Sequence, residues 1–313
     1  MKVCYMGYLL AFLSLIANTV KGFCGKKTSI YAVAPTDAPL FSFVRIFFCI
    51  IIGFFIVLIE GAQGSLSVDP VMLAICALSG VTNAVFLICW MLAVQRNPLV
   101  LVDVSLTLGS IIPAVLCLAF FGEDISPLKM LGFALIVAAA FVLSFGAKNT
   151  KKTSLSGILL VTAAAIGLGL TSFSQKLFDN HSTASGAAYP KSVFLFYGYI
   201  FAAVALLIYF VFVVLMQKAK KKENAPKAKE LFRPLLRPLP HILIMSACLF
   251  ADNYFKTAGI AYLPSQVLYP IIQGGCLITV NISAAMFFGE KTTLKTVLGS
   301  AIALGGIVIM SIA

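Results

Sequence analysis

The sequence predicts an all-α membrane protein with ten transmembrane helices arranged as two inverted five-helix repeats. Three observations lead there: the composition, the number of long apolar runs, and an echo of the chain's first half in its second. Of 313 residues, 61% are hydrophobic and only 11% charged, with a mean hydropathy of +1.03. A soluble domain carries about 25% charged residues, so a chain this apolar belongs in lipid. The net charge of +12 would suit a nucleic-acid surface. The Lys and Arg residues, however, stand in short connections between apolar runs and not on an aromatic-interleaved face. That pattern excludes nucleic acid as an expected partner and marks orientation in a bilayer. The eight cysteines lie mostly inside apolar runs with no Cys-x-x-Cys pair, so they read as small apolar fillers and neither a metal site nor a disulfide framework is expected.

Apolar runs near the roughly 20 residues that cross a bilayer occur ten times. They cover 3–22, 40–59, 71–94, 99–121, 128–146, 155–177, 192–216, 241–262, 264–288 and 296–312. They lack the alternation of barrel strands, and only a helix satisfies its own backbone hydrogen bonds in lipid, so each is expected to be helical. Lys2, the first run and Ala32-Val33-Ala34 together resemble a signal peptide. The triplet lies beyond three lysines, however, and the run has a partner later in the chain. It is expected as an uncleaved first span.

Phe120-Phe121-Gly122-Glu123 returns as Phe287-Phe288-Gly289-Glu290, followed in register by Leu131-Gly132 against Leu298-Gly299, Ala134 against Ala301 and Ser144 against Ser311, an offset of 167 throughout. Earlier, Gly7, Leu9, Leu10, Ile16, Phe23 and Lys26 return as Gly157, Leu159, Leu160, Ile166, Phe173 and Lys176 at an offset of 150. The polar segment 217–240 holds the residues that separate the two offsets, since loops absorb insertions cheaply. Two copies follow, 1–147 and 148–313, the second carrying that basic loop. Five spans per copy is odd, so the second copy enters the membrane upside down, as in many secondary transporters. The connections after spans 1, 3, 5, 7 and 9, with their flanks, collect 17 of the 23 basic residues, Lys21, Lys26 and Lys27 among them. The positive-inside rule places that side in the cytoplasm and both termini outside.

Ionisable and polar groups inside the spans are the candidates for function, because hydrocarbon tolerates them only against a partner or a cavity. Asp252 and Lys256, four apart in span 8, share a helical face and can pair, with Asn253 between them. The corresponding stretch of the first copy holds Asn83 and Trp90 and no charge. Arg45 sits well inside span 2. Asp103, in the first turns of span 4, either faces a cavity or favours the helix dipole. Span 9 places Gln266, Tyr269 and Gln273 on one face, suited to an amphipathic organic solute. Lys26 and Lys176 are expected to snorkel to the interface. Glu123 and Glu290 stand in turns at helix starts, a structural role. Pro113, Pro264, Pro270 and the Gly274-Gly275 pair weaken helix continuity and are gating candidates.

The ten spans, the paired Phe-Phe-Gly-Glu turns and the downstream Leu-Gly-x-Ala of each copy (Leu131 to Ala134, Leu298 to Ala301) resemble the drug/metabolite transporter superfamily, in particular its EamA-type permeases. The resemblance covers essentially the whole chain. It implies a multi-pass transporter of the cell membrane with a central cavity between two copies, exporting metabolites such as amino acids, amines or drugs by alternating access. Organelle-type exchangers of nucleotide sugars or sugar phosphates belong to the same superfamily and remain the alternative. Ten-span members keep both termini in the cytoplasm, opposite to the charge count. The first span, with Asn18 but no carboxylate, lacks the proton-coupling Glu of the four-span exporters.

The expected partners are a small-molecule solute and the lipid bilayer, with a homodimer left open and no cofactor. A membrane enzyme is disfavoured by the absence of Ser/His/Asp, His-Glu-x-x-His and Gly-rich phosphate patterns, and the only histidines, His181 and His241, lie near span ends. A receptor would not require two inverted copies.

Overall fold

The computed structural model describes residues 2–97, 99–122, 126–146, 155–219, 233–288 and 294–312. Glu123, Glu290 and most of the basic loop lie outside the described residues. What is described is helical, without strands. Among the described residues, six helical stretches are long and apolar enough to cross a membrane, one of them Val102–Phe121. The chain is an all-helical membrane protein, and its outer surface agrees: Ile59, Phe55, Ile208, Phe212 and Leu215 are exposed, which costs nothing in lipid and would be a large apolar patch in water.

Each expected span falls on helix. The order is α1 (Lys2–Ser29), α2 (Asp37–Ile59), α3 (Pro70–Arg96), α4 (Leu99–Gly109), α5 (Ile111–Phe121), α6 (Pro127–Gly146), α7 (Leu155–Ala184), α8 (Lys191–Ala219), α9 (Leu239–Gly259), α10 (Ser265–Phe288) and α11 (Leu294–Ile312). Local chemistry sets the ends. Asp69 caps α3, its side chain accepting from Met72 N–H at 2.7 Å, with Pro70 at the first helical position where no N–H is needed. Gly122 of the first Phe-Phe-Gly-Glu motif closes α5 in the left-handed region (φ 60°) that a glycine enters without strain.

Two expectations about continuity come out differently. Span 4 is not one helix: α4 ends at Gly109 and α5 begins at Ile111. Pro113 lacks the N–H that would bind the Gly109 carbonyl, so the break sits one turn before that proline. Pro270, by contrast, lies inside an uninterrupted α10. Gly274 and Gly275 lie in that same helix and serve close packing, a Cβ at 274 reaching within 3.2 Å of Ile136 and one at 275 striking Leu15.

The helices pack in a regular scheme. The main pairings are α1 with α9, α3 with α7, α3 with α8, α2 with α9, α2 with α8, α1 with α10, α4 and α5 with α7 and α10, α4 with α6, α10 with α11, and α6 with α11. Exchanging α1, α2, α3, α4–α5 and α6 for α7, α8, α9, α10 and α11 returns the same set. Small residues let these helices approach, since packing and not the hydrophobic effect holds helices together in lipid. A Cβ on Gly132 of α6 would stand 2.8 Å from the Gly306 carbonyl of α11, and one on Gly169 of α7 would stand 2.8 Å from the Gly109 carbonyl of α4. The largest buried cluster runs between α2, α3, α7, α8 and α9, around Phe41, Met72, Leu87, Met91, Phe194 and Tyr199, and the charged groups sit beside it.

Candidate functional site

The expected Asp252–Lys256 pair exists, and it is larger than expected. Lys256 Nζ lies 2.8 Å from Asp252 Oδ1 and 3.0 Å from Oδ2. Lys21 of α1 donates to Oδ2 at 2.7 Å, and Ser14, two turns earlier on α1, donates its hydroxyl to Oδ1 at 2.6 Å. Asp252, Lys21, Lys256 and Ser14 are all within 4% of complete burial. One carboxylate is therefore shared by two ammonium groups, leaving the cluster with a net positive charge, and it ties α1 to α9.

Lys21 is a correction to the sequence reading, which ended span 1 at residue 22 and counted this lysine as an orientation charge. Helix α1 continues to Ser29, placing Lys21 in its interior, while Lys26 and Lys27 occupy the last turn where cations suit the helix dipole. A signal for it was present. Ser14, Asn18 and Lys21 fall at i, i+4 and i+7, a polar stripe on one face of an apolar helix.

Arg45 adds a third buried cation. It is 2% exposed, its Nε has no hydrogen-bond partner, and among the described residues no carboxylate lies at ion-pair distance. Its guanidinium stands 5.7 Å from the centre of the Trp90 ring, and Lys21 Nζ stands 6.0 Å from that of Phe86. Aromatic faces soften the cost of these cations. They do not cancel the charge.

Beside the ion cluster runs an uncharged network. Asn253 points away from the lysines: its amide donates to Tyr199 Oη at 2.9 Å, and Gln175 of α7 donates to its carbonyl at 3.3 Å. Tyr269 of α10 donates to the Ser172 carbonyl at 2.6 Å, with Gln175 Oε1 at 3.2 Å. Asn83 joins Gln175, Tyr199 and Asn253 in lining a small cleft here. Gln175 and Tyr199 were not singled out in the sequence, because an isolated glutamine or tyrosine in an apolar run carries no pattern of its own.

A second narrow cleft opens between α1, α3, α4, α7 and α10. It brings together Asn18, Lys21, Phe86, Trp90, Asp103 and Gln273. Of the sequence candidates, Asp252, Lys256 and Arg45 thus gather near α1 and α9, Asn253, Asn83 and Tyr269 in the uncharged network, and Trp90, Asp103 and Gln273 around this cleft. Gln266 is buried early in α10, lining neither cleft. Pro113 and Pro270 lie in α5 and α10 away from both lining sets. Among the described residues no cluster of three or more His, Cys, Asp or Glu side chains could hold a metal ion.

No protein-family model and no curated protein matches the chain. One solved crystal structure, whose description names no activity, superposes with a TM-score of 0.69 over 97% of this chain and 95% of its own, at 14% sequence identity. At that identity the likeness is one of fold.

Proposed function

We propose that the chain is a secondary transporter of the drug/metabolite superfamily type, carrying small organic solutes across the cell membrane by alternating access between two inverted five-helix copies. The observation that carries this reading is the Lys21–Asp252–Lys256 cluster: three charged groups buried in the interior of a membrane protein, contributed by α1 of the first copy and α9 of the second. Charges held there are expensive and mark solute pathways. The exchange symmetry of the helix pairings supports the two-copy division, as do the paired motifs. Amino acids or amines, moved outward, are the first solute class.

A second class is favoured by a specific observation. Lys21, Lys256 and Arg45 outnumber Asp252 three to one, which suits a phosphorylated solute more than the sequence suggested when Lys21 was assigned to a connection. Reconstituted protein should exchange labelled solute across proteoliposomes. Amino acids, amines, nucleotide sugars and sugar phosphates form the panel. Tightly sealed vesicles with correctly folded protein and no flux for any of them would remove transport from consideration.

A further inference from the structure

The cleft beside the ion cluster holds an acceptor with nothing to accept from. Asp103 lines it, and its Oδ2 is shielded from solvent without a hydrogen-bond partner among the described residues. The ammonium lining the same cleft, Lys21, is already engaged 2.7 Å from Asp252. A carboxylate oxygen without a protein donor in a low-dielectric interior is costly, which makes it a strong acceptor for a bound cation. The walls narrow the choice of what completes it. Phe86 and Trp90 are tilted rings with centres 6.4 Å apart, and aromatic faces attract an alkylammonium while offering its carbon skeleton apolar area. Asn18 and Gln273 supply further polar groups. A phosphate or carboxylate placed at Asp103 would be repelled.

We propose that this cleft is the ammonium subsite of the transporter: Asp103 accepts hydrogen bonds from a primary ammonium beside the Phe86 and Trp90 rings, and with about 20 Å³ of free space the cleft takes the ammonium head in the conformation described, the aryl or alkyl body following as the helices part in the proposed cycle. The assignment rests on the transport reading and sharpens it. Asp252 is spent on two lysines, and Asp103 takes the role of counter-charge to the solute.

The test uses the full chain in detergent micelles with two probes of one shape and opposite charge, 2-phenylethylamine and 3-phenylpropionate, read by calorimetric titration. The wild type should bind the amine in preference to the acid, and Asp103→Asn should weaken amine binding at least about tenfold, the scale of a lost charge-assisted hydrogen bond. Equal affinity in Asp103→Asn, preference for the acid, or no amine binding would each overturn the assignment. The wild-type preference needs no variant, so it decides the matter even where Asp103→Asn misfolds. Flux of the same probes into proteoliposomes separates the two readings. Binding without flux for any solute defeats transport alone, while flux that Asp103→Asn leaves unchanged defeats the subsite alone.

Discussion

The ion cluster makes an asymmetric prediction about its own members. Asp252 receives three ammonium contacts of 2.7, 2.8 and 3.0 Å and the Ser14 hydroxyl at 2.6 Å. Replacing it with Asn keeps the shape and removes the only negative charge between two buried cations. Breaking a buried ion pair by deleting one partner costs about 3–5 kcal/mol, because the survivor is left uncompensated. Here two survivors are left, so Asp252→Asn belongs at the upper end of that range. Lys21→Met is the opposite case. It leaves Asp252 and Lys256 as a balanced pair, and the loss of one hydrogen bond, about 1–2 kcal/mol, is offset by removing a surplus buried charge. The double variant should recover part of the Asp252→Asn loss, since only Lys256 is then unpaired. Thermal unfolding of the four proteins in detergent, followed by tryptophan fluorescence from Trp90, checks the order. If Lys21→Met is as damaging as Asp252→Asn, or the double variant is worse than both, the cluster is not organised around a shared carboxylate.

Three further outcomes follow from other parts of the molecule. Arg45→Met removes a buried cation with no carboxylate partner, so stability should hold or rise by about 1 kcal/mol or more while flux of phosphorylated or carboxylate-bearing solutes falls in proteoliposomes; a collapse in melting temperature would mean that the guanidinium is structural. Gly132→Ala should cost about 1–3 kcal/mol through overpacking against the Gly306 carbonyl, whereas Gly305→Ala on the same α11, where a Cβ meets nothing within 4 Å, should be neutral or mildly stabilising by thermal unfolding. Asp69 holds the N-terminus of α3, and the Met72 N–H first and His181 second, 2.8 Å away, lower its carboxyl to about 2. A depressed carboxylate stabilises above its unfolded value near 4 and loses that contribution as pH falls through about 2. Asp69→Ala should therefore lower the melting temperature by a few degrees at neutral pH, and the gap from wild type should close as pH drops from about 4 to 2.

How much of this could be read from the chain depended on distance along it. The spans were readable because a 20-residue apolar run has one viable structure in lipid. The pairing of Asp252 with Lys256 was readable because four residues on a helix fix their proximity. Lys21 was not, since its partner lies 231 residues away and three lysines between residues 21 and 27 look like the end of a span. The two prolines make the same point in miniature. Pro113 falls just after a Gly-Ser step and the helix breaks there, while Pro270 sits within a helix that continues. Composition alone does not distinguish them. Asp103 stayed ambiguous in sequence because its surroundings are set by α1 and α10, both far from it in the chain, as well as by the neighbouring α3.

The exchange symmetry of the helix pairings throws the charge asymmetry into relief. Under that exchange the α1–α9 junction maps onto α7–α3. The first is made by Ser14 and Lys21 against Asp252. The second is made by a hydrogen bond of 3.0 Å between the Thr82 and Thr171 hydroxyls, and by Gly167 lying so close that a Cβ would stand 2.9 Å from the Phe86 backbone nitrogen. One junction is a set of charges that a competing ion can re-partner. The other is close backbone packing at its middle, with its charged contact, Asp69 to His181, at the end of the helices. In a transporter of two inverted copies, alternating access requires the equivalent junctions to open in turn, and a solute can shift that equilibrium only through differential contact with the two states. In the cycle proposed above, the buried charges at α1–α9, next to the cleft that Asp103 lines, are where binding and opening would be most directly coupled.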